Sequence, residues 1–359
     1  MLRMGRTALS ESPGCEQCVI GAPARLCGGP RRRFSLLQQA AYTRRASRSA
    51  GILLVVVALA AVLAGCGTSR EKASFPIGVG VASSEPETAA DGGQRFFASL
   101  HALRMTTARL VLYRGNPRLR EGLRRAVIHA SGIDVSVVLL DHPRAIRTGG
   151  DVAAFADWAA GVARDLPAVR RFVVWNEPNT RAFWRGSPGR YAELLSATYR
   201  ALKAVDPELR VSGLGLSPRH RPLVFLRMVL RAGGRMDELS IHPYPPSDAS
   251  TADAAYAFVH RVEGVWHGPL NLDEFGWQVR ASGRAYAGRE TVAATTERRQ
   301  ALRYATFLRL ASKDPQVRTA LVYGLHDDAD LAAWQAGLER ADGTQRAAYS
   351  AVANLLAER

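Results

Sequence analysis

Two carboxylates stand where short apolar runs end. Glu177 follows Phe172-Val173-Val174 in the stretch Trp175-Asn176-Glu177-Pro178-Asn179, and Glu274 closes Leu270-Asn271-Leu272-Asp273-Glu274, 97 positions further on. A charged group at the end of a buried run is costly unless it has partners or chemistry to do. Two such carboxylates, one protonated and one ionised, are what cleavage of a glycosidic bond requires: an acid for the leaving oxygen and a charged group for the anomeric carbon. The plainer reading of the first stretch is that Asn176 or Asn179 caps the next helix and Glu177 occupies its first turn.

The elements that must position these groups follow from alternating patterns. Short apolar runs predict strands near residues 76–82, 108–113, 134–140, 171–175, 210–215, 237–241, 269–274 and 318–323, with helical patterns between them, as at 151–165, 189–204 and 221–233. Continuous apolar strands alternating with helices imply a parallel sheet covered on its outer face. Eight such units predict an α/β fold, a (β/α)8 TIM barrel, as a single catalytic domain over residues 75–359. A doubly wound open sheet would place a glycine-rich phosphate turn after the first strand; Ala82-Ser83-Ser84-Glu85-Pro86 stands there instead. In a barrel the C-terminal strand ends form the active-site rim. Those ends carry Arg109, Asp141 and His142, Asn176 and Glu177, His242 and Tyr244, Asp273 and Glu274, and His326, Asp327 and Asp328.

With this set on one rim the chain resembles the retaining (β/α)8 glycoside hydrolases that include cellulases, β-xylosidases and iduronidases. The matching stretches are WNEPN at 175–179, SIHPYP at 240–245, LNLDEFGW at 270–277, ARLVLY at 108–113 and GLERADGTQRAAY at 337–349. The resemblance implies a retaining O-glycoside hydrolase acting on a poly- or oligosaccharide, without a cofactor or metal. It implies Glu177 as general acid/base and Glu274 as nucleophile, with Asn176 on the sugar 2-hydroxyl. Arg109 and Tyr244 are expected to keep Glu274 ionised at a lowered pKa, and His242 to position the acid/base residue or the substrate. Trp277, Trp184 and Trp334 are the expected sugar-facing aromatics, since pyranose faces pack on such rings; Trp158 and Trp266 read as packing. Many members of this group carry a Trp at the end of strand 8, where this chain has Val322-Tyr323-Gly324-Leu325-His326. Either Trp334 folds back to supply that platform or the subsite is built differently. The alternatives in function are an inactive glycan-binding lipoprotein and a transglycosylase that remodels envelope or exopolysaccharide.

Composition sets the surroundings. The formal charge is +16, and all but three of the 48 basic residues are Arg, Lys occurring only at 72, 203 and 313. A general Arg bias and attraction to acidic glycans or an anionic membrane surface both account for this; no aromatic-interleaved basic run indicates nucleic acid. Arg44, Arg45 and Arg48 precede the apolar run Ile52 to Leu63, too short for a comfortable bilayer span and suited to a signal peptide. It ends in Leu63-Ala64-Gly65-Cys66, which resembles the bacterial lipobox, where the Cys is lipidated. Residues 1–66 therefore read as an N-terminal extension and lipoprotein-type signal, and 67–74 as a tether. The expected location is the outer face of the bacterial cytoplasmic membrane, anchored through Cys66, or secretion if Cys66 is not lipidated. The expected partners are a poly- or oligosaccharide and the membrane, with the protein a monomer.

Overall fold

A computed structural model describes residues 75–81, 89–247, 249–279, 295–329 and 334–358. Cys66 and the tether at 67–74 lie outside the described residues. Eight parallel strands close into a barrel in which sequence neighbours pair: β1 (Ile77–Gly80), β2 (Thr107–Tyr113), β3 (Asp134–Leu140), β4 (Arg171–Val174), β5 (Arg210–Leu216), β6 (Glu238–Ile241), β7 (Leu270–Phe275) and β8 (Val317–Tyr323), with β1 also against β8. The expected TIM barrel is therefore observed, and the open doubly wound sheet is excluded.

Eight α-helices among the described residues surround it: α1 (Gln94–Ala102), α2 (Pro117–Ala126), α3 (Gly149–Asp165), α4 (Pro188–Val205), α5 (Pro222–Arg231), α6 (Ala252–Glu263), α7 (Glu297–Lys313) and α8 (Ala347–Ala357). Their starts are written in the sequence. Thr148 and Asp151 form a reciprocal capping box on α3, and Ser187, Thr251 and Thr296 accept a backbone N–H at the starts of α4, α6 and α7. Pro117 and Pro188 occupy first helical positions, where no N–H is needed. The apolar face of α4 comes from Tyr191, Leu194, Leu195 and Leu202, all buried. Their helical spacing aims one stripe at the barrel, and each Leu removed from water stabilises by roughly 1.5–3 kcal/mol.

Inside the barrel, alternation along each strand sorts the polar residues into layers. Glu238, Ser240 and His242 are every second residue from β6 onward, and Asn271 and Asp273 do the same on β7; all are buried. β1 needs glycine here, because a Cβ on Gly80 would lie 2.6 Å from the Asp273 carbonyl oxygen. Among the described residues no helix is long and apolar enough to cross a membrane.

Candidate active site

Local backbone distortions turn the reactive side chains inward. Past the end of β4, Trp175 and Glu177 both have left-handed φ values, 73° and 43°, which cost L-residues energy and persist only where surroundings hold them. The surroundings are explicit: Trp175 N–H donates to the Leu139 carbonyl and Glu177 N–H to that of Gly215. The buried Tyr191 hydroxyl on α4 donates to the Val174 carbonyl at 2.7 Å and accepts from Leu214 N–H at 2.8 Å, stapling β4 to β5. Asn179 does not cap a helix; its side chain bridges to Ser217 and Arg219 in the loop after β5. On β7, strict alternation would point Asp273 and Glu274 to opposite faces. A register shift against β8 between Leu272 and Phe275 breaks that alternation, and both carboxylates reach Arg109.

Arg109 is the hub. Its Nη1 lies 2.7 Å from Glu274 Oε1, its Nε 3.1 Å from Asp273 Oδ2, and its Nη2 donates to Asn176 Oδ1 at 2.7 Å. His242 is the second cation, fully buried. Its Nδ1 lies 3.0 Å from Glu177 Oε1 and 3.3 Å from Glu274 Oε2, while Nε2 faces Asp273 Oδ1 at 3.3 Å. Gly215 makes room for this ring, since a Cβ there would come 2.9 Å from His242 Nε2. Tyr244 hydroxyl donates to Glu274 Oε2 at 2.9 Å. Asn176 and Glu177 are partly open to solvent, so they face an incoming ligand, whereas Arg109 and His242 lie beneath.

Burial and charge oppose each other here. Burial alone would lower the His242 imidazole, but Glu274 and Asp273 outweigh it and raise the pKa to about 10, so the ring is an imidazolium at neutral pH. Burial would raise Asp273, but Arg109 and His242 hold it below the usual carboxylate value. Glu274 corrects an expectation. Burial pushes its pKa up, helped by Glu177 and Asp273, and His242 and Arg109 offset this only in part.

Glu177, His242 and Glu274 each place one nitrogen or oxygen within 4.8 Å of the other two, a spacing a metal ion could use. In this structure all three are otherwise engaged: both His242 ring nitrogens face carboxylates, Glu177 meets His242, and Glu274 meets Arg109 and Tyr244. A second such group, His260, Glu263 and Asp314, lies on the helical layer, where His260 Nδ1 is 2.8 Å from Glu263 and Tyr256 donates to Asp314.

The aromatic expectations divide. Trp334 does fold back: its ring meets Tyr244 and Tyr323 edge-on at 5.4 and 5.5 Å, next to Glu274's hydrogen-bond partner. Trp277 does not reach the mouth. It is fully buried against Phe275 and against Tyr304 and Phe307 of α7, and its indole N–H donates to the Ser250 carbonyl. Trp184 is likewise interior, packed between Trp175 and Tyr191 in the layer between barrel and helices. Trp277 stands two residues past β7 and Trp184 deep in the loop after β4, and both are buried, so neither offers a sugar a free ring face. Arg109, expected to keep Glu274 ionised, is sealed under the carboxylates and pairs with both Glu274 and Asp273. The rim residues of β8 belong elsewhere too: His326 pairs with Glu339 at 2.9 Å and Asp327 with Arg346, fastening the C-terminal segment. Asp141 lies 3.6 Å from Arg114, and His142 accepts from the backbone of Arg144. Asp273, already in the rim set, takes a place between Arg109 and His242 that the sequence did not assign, and Tyr191 was the contributor least visible in the sequence.

Residues 168–263, from just before β4 to the end of α6, match the family model Glycosyl hydrolases family 39; that segment holds Glu177, His242 and Tyr244 and ends before Glu274. None of the curated proteins matches the chain. Among solved structures, a family 39 glycoside hydrolase from the gut symbiont Bacteroides cellulosilyticus WH2 superposes with a TM-score of 0.61 at 20% identity, over 79% of this chain and 64% of that one. A monomeric β-xylosidase from Caulobacter crescentus CB15 gives 0.58 at 19% identity, over 78% and 67%. A GH53 catalytic domain from Ignisphaera aggregans gives 0.60 at 16% identity, over 79% and 96%. At these identities the likeness is one of fold, and the chain spans 64% of the first structure's length. The matched segment holds WNEPN and SIHPYP, LNLDEFGW lies beyond its end, and the solved structures share the barrel.

Proposed function

We propose that the chain hydrolyses O-glycosidic bonds of a poly- or oligosaccharide by double displacement, with Glu274 as nucleophile and Glu177 as acid/base. The observation that carries this reading is the closeness of the two carboxylates, whose nearest oxygens lie within 4.8 Å around His242 Nδ1. Retaining enzymes hold the pair about 5–5.5 Å apart, and inverting ones roughly 6.5–9.5 Å to admit a water.

The surrounding groups suit the sequence of steps. Glu274 attacks the anomeric carbon as Glu177 gives its proton to the leaving oxygen, so negative charge passes from Glu274 to Glu177. His242 stands between them, 3.3 Å from one and 3.0 Å from the other, and its positive charge serves both states with little reorganisation. Water then resolves the glycosyl-enzyme with Glu177 as base. Arg109 can only donate, so it fixes the Asn176 oxygen toward itself and leaves the Asn176 amide N–H free to donate to a sugar hydroxyl. Arg109 and Tyr244 both contact Glu274, so the charge it carries as nucleophile has partners even though burial pushes its pKa up.

Azide separates the two roles. Glu274→Ala should lose about 10⁴-fold or more in kcat, and azide should restore turnover through one direct displacement, giving a glycosyl azide of inverted configuration. In Glu177→Ala, azide should trap the glycosyl-enzyme and give the retained anomer. Hydrolysis undiminished in either variant, or the same azide anomer from both, would refute the assignment. Location is a separate part of the proposal: lipidation of Cys66 and a membrane anchor. Cys66→Ser should abolish palmitate labelling and move the protein from the membrane fraction to the medium or periplasm; unchanged fractionation would end that proposal.

A further inference from the structure

At the outer edge of the catalytic face, the loops after β3 and β4 enclose a cleft of about 510 Å³ whose charged lining residues are Arg144, Arg147, Arg185 and Arg190. Among the described residues no carboxylate lines it. The walls are tied together: Arg185 N–H donates to the Pro143 carbonyl at 3.0 Å, and Arg147 Nε to the Arg144 carbonyl at 3.0 Å. The floor is firm, because the buried Trp184 donates to the Ser187 carbonyl and Gly186 lies flat against its ring, where a Cβ would come within 2.8 Å. Ser187 caps α4, so the positive end of that helix opens into the same space.

The nearby acids are already engaged. Asp141 faces Arg114, Asp151 Oδ2 accepts from Thr148 and from the Arg147 backbone, and Glu193 pairs with Arg190. Among the described residues Arg144 and Arg185 form no ion pair, and the Arg144, Arg147 and Arg185 side chains are on exposed residues. Arg190 keeps Glu193 and Arg147 lies near Asp151, but Arg144 and Arg185 have no ion-pair partner among the described residues, and guanidinium groups gathered with so few counter-charges are stabilised by an anion that each can grip in bidentate fashion. Concavity and position select among anions. The loop after β4 carries Glu177 and reaches Arg185 eight residues later, so a ligand lying in the cleft is held by the loop that carries the acid/base residue.

We infer that this cleft binds an anionic polysaccharide, one carrying carboxylate or sulfate groups, and holds the polymer beside the reacting bond. The inference rests on the glycosidase reading for its choice of a glycan, and it turns the diffuse basic surplus of the sequence into a named site.

The test is affinity electrophoresis of the full chain in native gels containing polygalacturonate, dextran sulfate or neutral dextran. The wild type should be retarded by at least one of the polyanions and not by dextran, the pair of polyanion gels showing whether carboxylate or sulfate is preferred. The variant R144Q/R147Q/R185Q should raise the apparent Kd ten-fold or more. The control R200Q/R227Q/R231Q, which removes the same charge from exposed positions on α4 and α5, should stay within two-fold. If the triple variant does not fold, R144Q/R185Q takes its place. Equal loss in both variants would reduce the effect to bulk charge, and no loss in the cleft variant, or equal retardation by dextran, would overturn the inference. Cleft-dependent binding to phosphatidylglycerol vesicles in preference to both polyanions would overturn it in favour of a membrane contact. Retardation is read without turnover, so binding without hydrolysis sinks the proposed reaction alone, and hydrolysis without cleft-dependent binding sinks the cleft alone.

Discussion

The barrel interior holds two buried polar layers, and they are built on opposite principles. The floor joins Glu238 to Arg171 at 3.5 Å, with Ser212 and Asn271 donating to Glu238 and Thr319 donating to Asn271. One buried carboxylate there meets one guanidinium, whose other side reaches the half-exposed Asp134 at 3.6 Å, and neutral amides and hydroxyls supply the remaining bonds. The mouth crowds Glu177, Asp273 and Glu274 around Arg109 and His242, so that acids outnumber cations. A balanced layer needs nothing more from its surroundings. An unbalanced one holds a proton in play, because three close carboxylates cannot all stay ionised as comfortably as two. The elevated Glu274 carboxyl is a consequence of this crowding together with burial.

The largest test of that contrast is Arg109→Met. Removing the guanidinium leaves Asp273, Glu274 and Asn176 without their shared partner in a sealed site. Breaking a buried ion cluster from one side costs about 3–5 kcal/mol, and loss of a preorganised charge at the reacting centre costs about 10²–10³-fold in kcat. Thermal denaturation and single-turnover kinetics read the two losses separately. A variant that kept kcat within ten-fold would make the mouth a structural network like the floor, and the contrast would fall.

His242→Asn tests the second cation through pH. The folded-state pKa is about 10, raised above the unfolded value of about 6.5. The stabilisation is therefore fully present below pH ~6.5 and is lost as pH rises through about 10, on the order of a few kcal/mol. Asp273, lowered in the folded state, makes its contribution at the acid end and leaves this window alone. Wild-type stability should fall between pH 7 and 10.5, and the Asn variant should start lower and stay flat there. Parallel curves for the two proteins would mean His242 is neutral.

Much of this architecture was legible before any coordinates. All eight strands fall within two residues of their sequence-based bounds, because strands buried on both faces read as unbroken apolar runs and Thr, Ser and Pro mark where helices begin. The motif residues also converge as expected, since strand ends of a barrel meet on one rim. The failures share a cause. Trp184 and Trp277 lie past strand ends, where facing depends on backbone turns no residue pattern reports, such as the left-handed Trp175 and Glu177. Asp273 and Glu274 share a direction only through the register shift on β7. The direction of the Glu274 shift depends on how completely the site is buried, a tertiary quantity.

The smallest effect should come from the floor. Glu238→Gln removes one charge but keeps an oxygen for the Asn271 and Ser212 donors, and Arg171 retains Asp134 at 3.6 Å and the Asn271 oxygen at 3.4 Å. With the bonds largely preserved, stability should change by about 1 kcal/mol. Glu238 and His242 are four residues apart, roughly 13 Å along an extended chain. At that distance and an effective dielectric of about 20, full loss of the charge alters the imidazolium by at most ~1.3 kcal/mol, or about one pH unit. An imidazolium with a pKa of about 10 stays charged at neutral pH after such a change. Glu238→Gln should accordingly leave kcat at pH 7 within two-fold while moving the alkaline stability midpoint down by no more than about one unit. A ten-fold loss of kcat in this variant would show that the two layers act as one electrostatic unit, with charge on the floor setting the chemistry at the mouth.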